Sequence, residues 1–287
     1  MSDPEYIGLC ISGGGVLGIL MSGALNYYFI QGKLDNIKYL AGTSVGSILI
    51  TLLSMGYTPL DILAITCEDI VKKFNNFNML NLPQKHGLYS NEILKGFIEE
   101  KIILKIGKSP TFLEYFKEFN KYLVIPVYCL TENIDKRKIF CSPDDTPDMK
   151  LIDAIFLSCN IPLVFEKAIY KGHVYIDGAY TNNFPLQPLR ERIEFNENID
   201  DFKILGITIQ QSSLDINKLV DYICMIQFIP MEESKISPTD KIFDIIKLKV
   251  PKDVSPIDFK LPSSRKSDLF NDGYFQAKKL LQESQNN

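Results

Sequence analysis

Apolar residues gather in short blocks punctuated by glycine, proline and asparagine, and the first two blocks set the architecture. Tyr6 to Ser12 (YIGLCIS) is an apolar run bounded by glycines, which predicts a buried strand, and the turn Gly13-Gly14-Gly15 follows at once. Gly18 to Gln31 then reads as a mostly buried helix ended by Gly32. Ile37 to Ala41 repeats the strand, Gly42-Thr43-Ser44-Val45-Gly46 the turn, and Ser47 to Met55 the helix, closed by Gly56. Two consecutive strand-turn-helix units predict an α/β fold with a central, mostly parallel sheet and helices on its faces.

From Pro59 to about Phe119 the pattern is predominantly helical, interrupted by a polar loop over Asn75 to Gly87. Tyr122 to Leu130 returns as a strand, with Lys138 to Cys141 placed to pair with it across the turn TENIDKR. Leu151 to Ser158 predicts a short helix stopped by Ile161-Pro162, and His173 to Asp177 and Phe202 to Ile209 predict further strands. Beyond about Ser212 the strand signal fades. Leu219 to Phe228 and Phe270 to Leu281 read as amphipathic helices joined by a proline-containing stretch. The expected organisation is an α/β domain over 6–212 and a mostly helical C-terminal extension over 213–287, packed on or near the core.

Charge narrows the function classes. The 31 basic and 35 acidic residues nearly cancel and are scattered, so the footprint of a nucleic-acid binder is missing. The six cysteines fall at wide, irregular spacings with no CxxC pair, which gives no metal site and no redox motif and suits buried thiols in a reducing compartment. The acidic N-terminus MSDPEYIG lacks the basic start of a Sec signal peptide, and the Ile19 to Ile30 run is broken by Ser22, Gly23 and Asn26, short of a membrane span. The expectation is a cytoplasmic protein that meets membranes peripherally.

The candidate chemistry sits in the turns. GxSxG at 42–46 lies where a predicted strand ends and a helix begins, the context of a nucleophile elbow; Gly42 and Gly46 give clearance, and the helix aims its N-terminal N–H groups at the serine oxygen. The alternative is a tight turn whose serine merely caps the helix. The loop Gly13-Gly14-Gly15-Val16-Leu17-Gly18 contains GxGxxG, yet the second strand ends in GTSVG rather than the acidic residue a dinucleotide site needs, and no GK[ST] makes it a P-loop. Free backbone N–H groups at Gly13, Gly14 and Gly15, beside the elbow, suit an oxyanion hole; close helix packing explains the same glycines structurally. The two histidines, His86 and His173, stand in polar or turn contexts that suit surface residues better than a base. Asp177, in YIDGA, closes a short strand, although Asp-Gly is also an ordinary turn.

GGGxxG after the first strand, GTSVG after the second and Asp177-Gly178-Ala179 occur in the order that marks patatin-like phospholipases, which this chain resembles from about Tyr6 to Ser212. Ser158-Cys159-Asn160-Ile161-Pro162 and Asn182-Asn183-Phe184-Pro185 are similar to that family's adjoining segments. The resemblance implies a three-layer α/β/α sandwich, a phospholipid or other acyl-lipid substrate, no cofactor, and a dyad in which Ser44 attacks the ester and Asp177 is its base. It leaves open a transacylase and a catalytically silent lipid-binding or scaffolding protein. Leu17 departs from the pattern, since the family often carries Arg or Lys there; the loss shifts the expected preference toward neutral lipids or lysolipids, or requires another basic residue to substitute.

Overall fold

The first apolar block forms strand β1 (Tyr6–Ile11) and the second β2 (Tyr39–Gly42), in a computed structural model that describes residues 6–68, 81–198, 202–210 and 242–285. They pair parallel, with Cys10 opposite Ala41 and Ile11 opposite Gly42, so both strands stop at one edge of the sheet. Helix α1 (Gly18–Ile30) carries the chain from one to the other, and α2 (Val45–Ser54) leaves the second. Helices α3 (Pro59–Cys67), α4 (Asn81–Lys85), α5 (Glu92–Ile106) and α6 (Phe112–Phe119) precede β4 (Tyr122–Cys129), with a short strand β3 (Gly87–Tyr89) among them. Thr58 with Asp61 and Thr111 with Glu114 start α3 and α6 as capping boxes, each side chain taking a backbone N–H of the other's residue.

The second half adds β5 (Lys138–Cys141), α7 (Leu151–Ser158), β6 (Leu163–Phe165), β7 (Ala168–Tyr170), β8 (His173–Ile176), α8 (Ala179–Asn182), α9 (Leu186–Glu197), β9 (Lys203–Gln210), β10 (Phe243–Lys249) and α10 (Ser263–Gln285). The central sheet runs β10-β9-β1-β2-β4-β8-β7, with β5 antiparallel on β4, while β3 and β6 form a small pair of their own. From β10 to β4 every pairing is parallel; β8 and β7 are antiparallel. Alternate residues enter opposite layers: Leu9, Ile11, Leu40 and Leu123 join the larger core with α1 and α2, whereas Cys10, Tyr39, Ala41 and Val124 join a second core with α9. A sheet covered on both faces is why these strands read as unbroken apolar runs.

The proline-containing stretch after 212 holds what the pattern missed. β10 extends the sheet beside β9, and α10 begins at Ser263, well before the expected Phe270. α10 lies against α1 so closely that a Cβ on Gly23 would sit 1.8 Å from the Phe270 carbonyl oxygen, and one on Gly273 1.8 Å from that of Leu20. The helix expected over Leu219 to Phe228 lies outside the described residues, as does the start of the loop expected at Asn75; the rest of that loop holds α4 and β3.

Candidate active site

The elbow is built where β2 ends. Ser44 has φ 52° and ψ −124°, a conformation that costs a side-chain-bearing residue about 1–3 kcal/mol and is held there by its surroundings. The chain turns so tightly that a Cβ on Gly46 would lie 2.4 Å from the Ile11 carbonyl oxygen and one on Gly42 2.5 Å from that of Gly46. Ser44 is the residue before α2, yet its side chain makes no capping hydrogen bond, which sets aside the helix-cap alternative. Its N–H donates to Ser158 Oγ at 3.0 Å, which fixes the backbone at the turn.

The glycine loop follows β1 beside it. Gly13, expected among the oxyanion donors, has its N–H already committed to the Asn183 carbonyl at 3.1 Å and instead anchors the loop; a Cβ there would meet Asn183 Oδ1 at 2.5 Å and Ser44 Cβ at 3.4 Å. Among the described residues no acceptor takes the N–H of Gly14, Gly15 or Val45. Gly15 has φ 56°, and Val16 N–H donates to the Pro256 carbonyl at 2.8 Å, which fastens the C-terminal segment to the loop. Gly18 opens α1 against Val45, and Leu17 is fully buried, so no cation stands at that position.

Asp177 arrives from the opposite direction. β4 pairs with β2 over Tyr122–Val124 and with antiparallel β8 at Tyr128 and Cys129, so β8 descends toward the point where β2 stops. Asp177 N–H donates to the Asn160 carbonyl at 2.9 Å and Gly178 N–H to that of Ser158 at 3.0 Å. The carboxylate is 3% exposed; Oδ1 accepts the Ala179 N–H at 2.9 Å, and Oδ2 has no hydrogen-bond partner among the described residues. Burial pushes its pKa up to about 7, against the pull of the Ala179 N–H and of the nearby Ser44 hydroxyl. The Ser44 hydroxyl is thus a close neighbour of this carboxylate.

Ser158 is the residue that sequence reasoning quoted but gave no part to: its hydroxyl holds Ser44 and its carbonyl holds Gly178, so one fully buried residue at the end of α7 ties both halves together. The histidines stand elsewhere. His173 Nδ1 is 3.3 Å from Thr131 Oγ1 and its Nε2 3.5 Å from Glu132 on an exposed hairpin, and His86 follows α4 with φ 62°. Neither lines the cavity of about 170 Å³ that opens at Ser44 between α2, α3 and α5, walled by Ile48, Leu52, Ile62, Phe97, Ile161 and Phe259. Its apolar wall and size, near that of a cavity of ~150 Å³ that accepts benzene, suit part of an acyl chain. Among the described residues no cluster of His, Cys, Asp or Glu fits a metal ion, and no helix is long and apolar enough to cross a membrane.

A family model described as patatin-like phospholipase matches residues 9–190. A "probable lipid hydrolase" of Invertebrate iridescent virus 6 is 35% identical over 190 residues, which is 63% of this chain and 62% of that protein. An uncharacterized protein of Acanthamoeba polyphaga mimivirus is 30% identical over 98% of this chain and 95% of its own length. In fold, 98% of the chain superposes on 68% of VipD from Legionella pneumophila with a TM-score of 0.54 at 16% identity. With motif order, sheet topology and sequence match in agreement, the chain belongs to the patatin-like phospholipase family.

Proposed function

We propose that this chain is a lipid acyl hydrolase of the phospholipase A2 or lysophospholipase type, with Ser44 as nucleophile and Asp177 as base. Ser44 Oγ bonds to the ester carbonyl carbon while its proton passes to Asp177 Oδ2, the oxygen left without a partner. Negative charge gathers on the carbonyl oxygen, where the N–H groups of Gly14 and Gly15, with Val45 at the start of α2, receive it. Collapse breaks the ester C–O bond, the departing alcohol takes the proton back, and an acyl-serine remains. Water then attacks that acyl group, Asp177 takes its proton, and Ser44 leaves with it as the fatty acid departs.

A carboxylate with its pKa lifted to about 7 removes an alcohol proton far better than one near 4, and burial supplies that lift without a histidine. Lipid substrates lie in membranes, so the site works at a bilayer surface that the chain visits peripherally; the buried thiols Cys10, Cys129, Cys141 and Cys159 are all unpaired, in keeping with a reducing cytoplasm.

The observation that carries this reading is Ser44, strained, backbone-anchored and not used as a cap. A fluorophosphonate probe is expected to label wild type at Ser44, and Ser44→Ala to lose both labelling and fatty-acid release. Label elsewhere, or unchanged release by Ser44→Ala, rejects it.

A further inference from the structure

Two lysines among the described residues are buried to the same degree, each 8% exposed, and they differ in company. Lys101 places Nζ 2.8 Å from Glu68 Oε2, the ordinary way to keep an ammonium inside a protein. Lys266, in the first turn of α10, reaches only the Thr66 carbonyl near the end of α3, at 2.5 Å, and no carboxylate among the described residues pairs with it. An ammonium has three N–H donors, so two are left over among the described residues. A lysine that only capped α3 would do so from the rim, with its charged end in water. Lys266 instead lines the cavity that opens at Ser44, in a wall otherwise nearly all apolar.

The fold explains how it gets there. The segment after β10 returns to the active edge, where the Pro256 carbonyl takes the Val16 N–H; Phe259 and Leu261 enter the cavity wall, and α10 starts immediately after. The other charged side chain on this wall is Asp258, whose Oδ1 accepts the Lys260 N–H at 3.3 Å. It makes no ion pair with Lys266 and opposes an incoming anion.

We infer that Lys266 receives an anionic oxygen of the substrate, the phosphate of a phospholipid whose acyl ester lies at Ser44. Resting on the acyl-hydrolase reading above, this gives the site a preference for phosphate-bearing lipid over neutral ester, supplied from the C-terminal helix. Phosphate approaching the two spare donors replaces their lost water, and the apolar wall strengthens the contact by keeping solvent out.

The test compares wild type, Lys266→Met and Lys266→Arg on phosphatidylcholine micelles and on neutral p-nitrophenyl butyrate. Lys266→Met is expected to lower kcat/KM on the phospholipid about 10-fold to 100-fold, the size of one hydrogen bond to a charged group, mainly through KM. The loss on the neutral ester should be smaller than that on the phospholipid by about 10-fold or more, and Lys266→Arg should restore most of the phospholipid rate. An equal loss on both substrates, as a purely structural lysine gives, or an unchanged phospholipid rate overturns the inference. Calorimetric binding of short-chain phosphatidylcholine separates it from the parent reading. If no variant turns over ester, weaker binding by Lys266→Met supports the anion site while the hydrolase reading falls, and equal binding removes the anion site.

Discussion

The two halves of the proposed dyad are made in opposite ways. Ser44 is a product of local chain: strand, five-residue turn and helix follow within about twenty residues, and its φ of 52° comes from contacts that β1 and α2 make with the turn itself. Asp177 sits in an ordinary strand end, and everything unusual about it comes from afar, through the buried Ser158–Asn160 segment and the β4 edge. The nucleophile is poised by backbone geometry and the base by burial. Changes at the first should therefore act on chemistry with little pH signature, and changes at the second should move the pH profile and stability together.

The largest effects come from removing either half. Ser44→Ala is expected to cut kcat by at least about 10³-fold at every pH, as loss of a catalytic nucleophile does elsewhere. Asp177→Asn should match it in activity and differ in stability. The wild-type carboxyl titrates near 7 when folded and near 3.8 when unfolded, so between those values the folded state binds the extra proton and stability falls as pH rises. Each unit of that shift corresponds to about 1.4 kcal/mol. Asp177→Asn removes the penalty, so its Tm at pH 8 should exceed wild type's, and the gap should close toward pH 4. A flat difference across that range breaks the contrast. In wild type, kcat/KM should fall about tenfold per pH unit below 7, because only the ionised carboxylate accepts the serine proton.

Next in size is the hinge between the halves. Gly13→Ala puts a methyl 2.5 Å from Asn183 Oδ1 and presses on Ser44 Cβ, displacing the loop whose next two N–H groups are the proposed oxyanion donors. A loss of about 10²-fold to 10³-fold in kcat is expected, the size of an oxyanion donor's contribution, with the probe-reactive serine retained. Adding Asn183→Ala removes the atom that clashes, so the double variant should recover part of the rate. Independent, multiplicative losses in that cycle show that the clash is not the cause.

How much was legible in the sequence follows the same division. The elbow, the glycine loop and the parallel units at the front were readable because local periodicity and turn residues determine them. The raised basicity of Asp177 and the bridging hydroxyl of Ser158 were not, since both depend on which distant segments bury them, and no spacing records that. β10 was missed for a related reason: FDIIKLK at 243–249 is half-buried over its first three residues and then alternates buried Ile246 and Leu248 with exposed Lys247 and Lys249 at the sheet's end, so it lacks the unbroken apolar run of β1 or β9. Lys266 was invisible in the same way, since in sequence it stands among the charged and polar residues of SSRKSD.

The smallest effect is the one that keeps the base assignment honest. His173 is the histidine nearest in sequence to Asp177, at the other end of β8, and its ring faces Thr131 and Glu132 on the exposed hairpin rather than the cavity. A four-residue strand separates the two ends by about 10 Å, beyond the reach of a proton relay through one side chain. His173→Ala should leave kcat/KM within about two-fold of wild type, as surface changes away from buried networks do, and leave the limb near pH 7 where it was. If the limb moved or the rate fell a thousand-fold, His173 would take part in the chemistry, and burial of Asp177 would no longer account for the base.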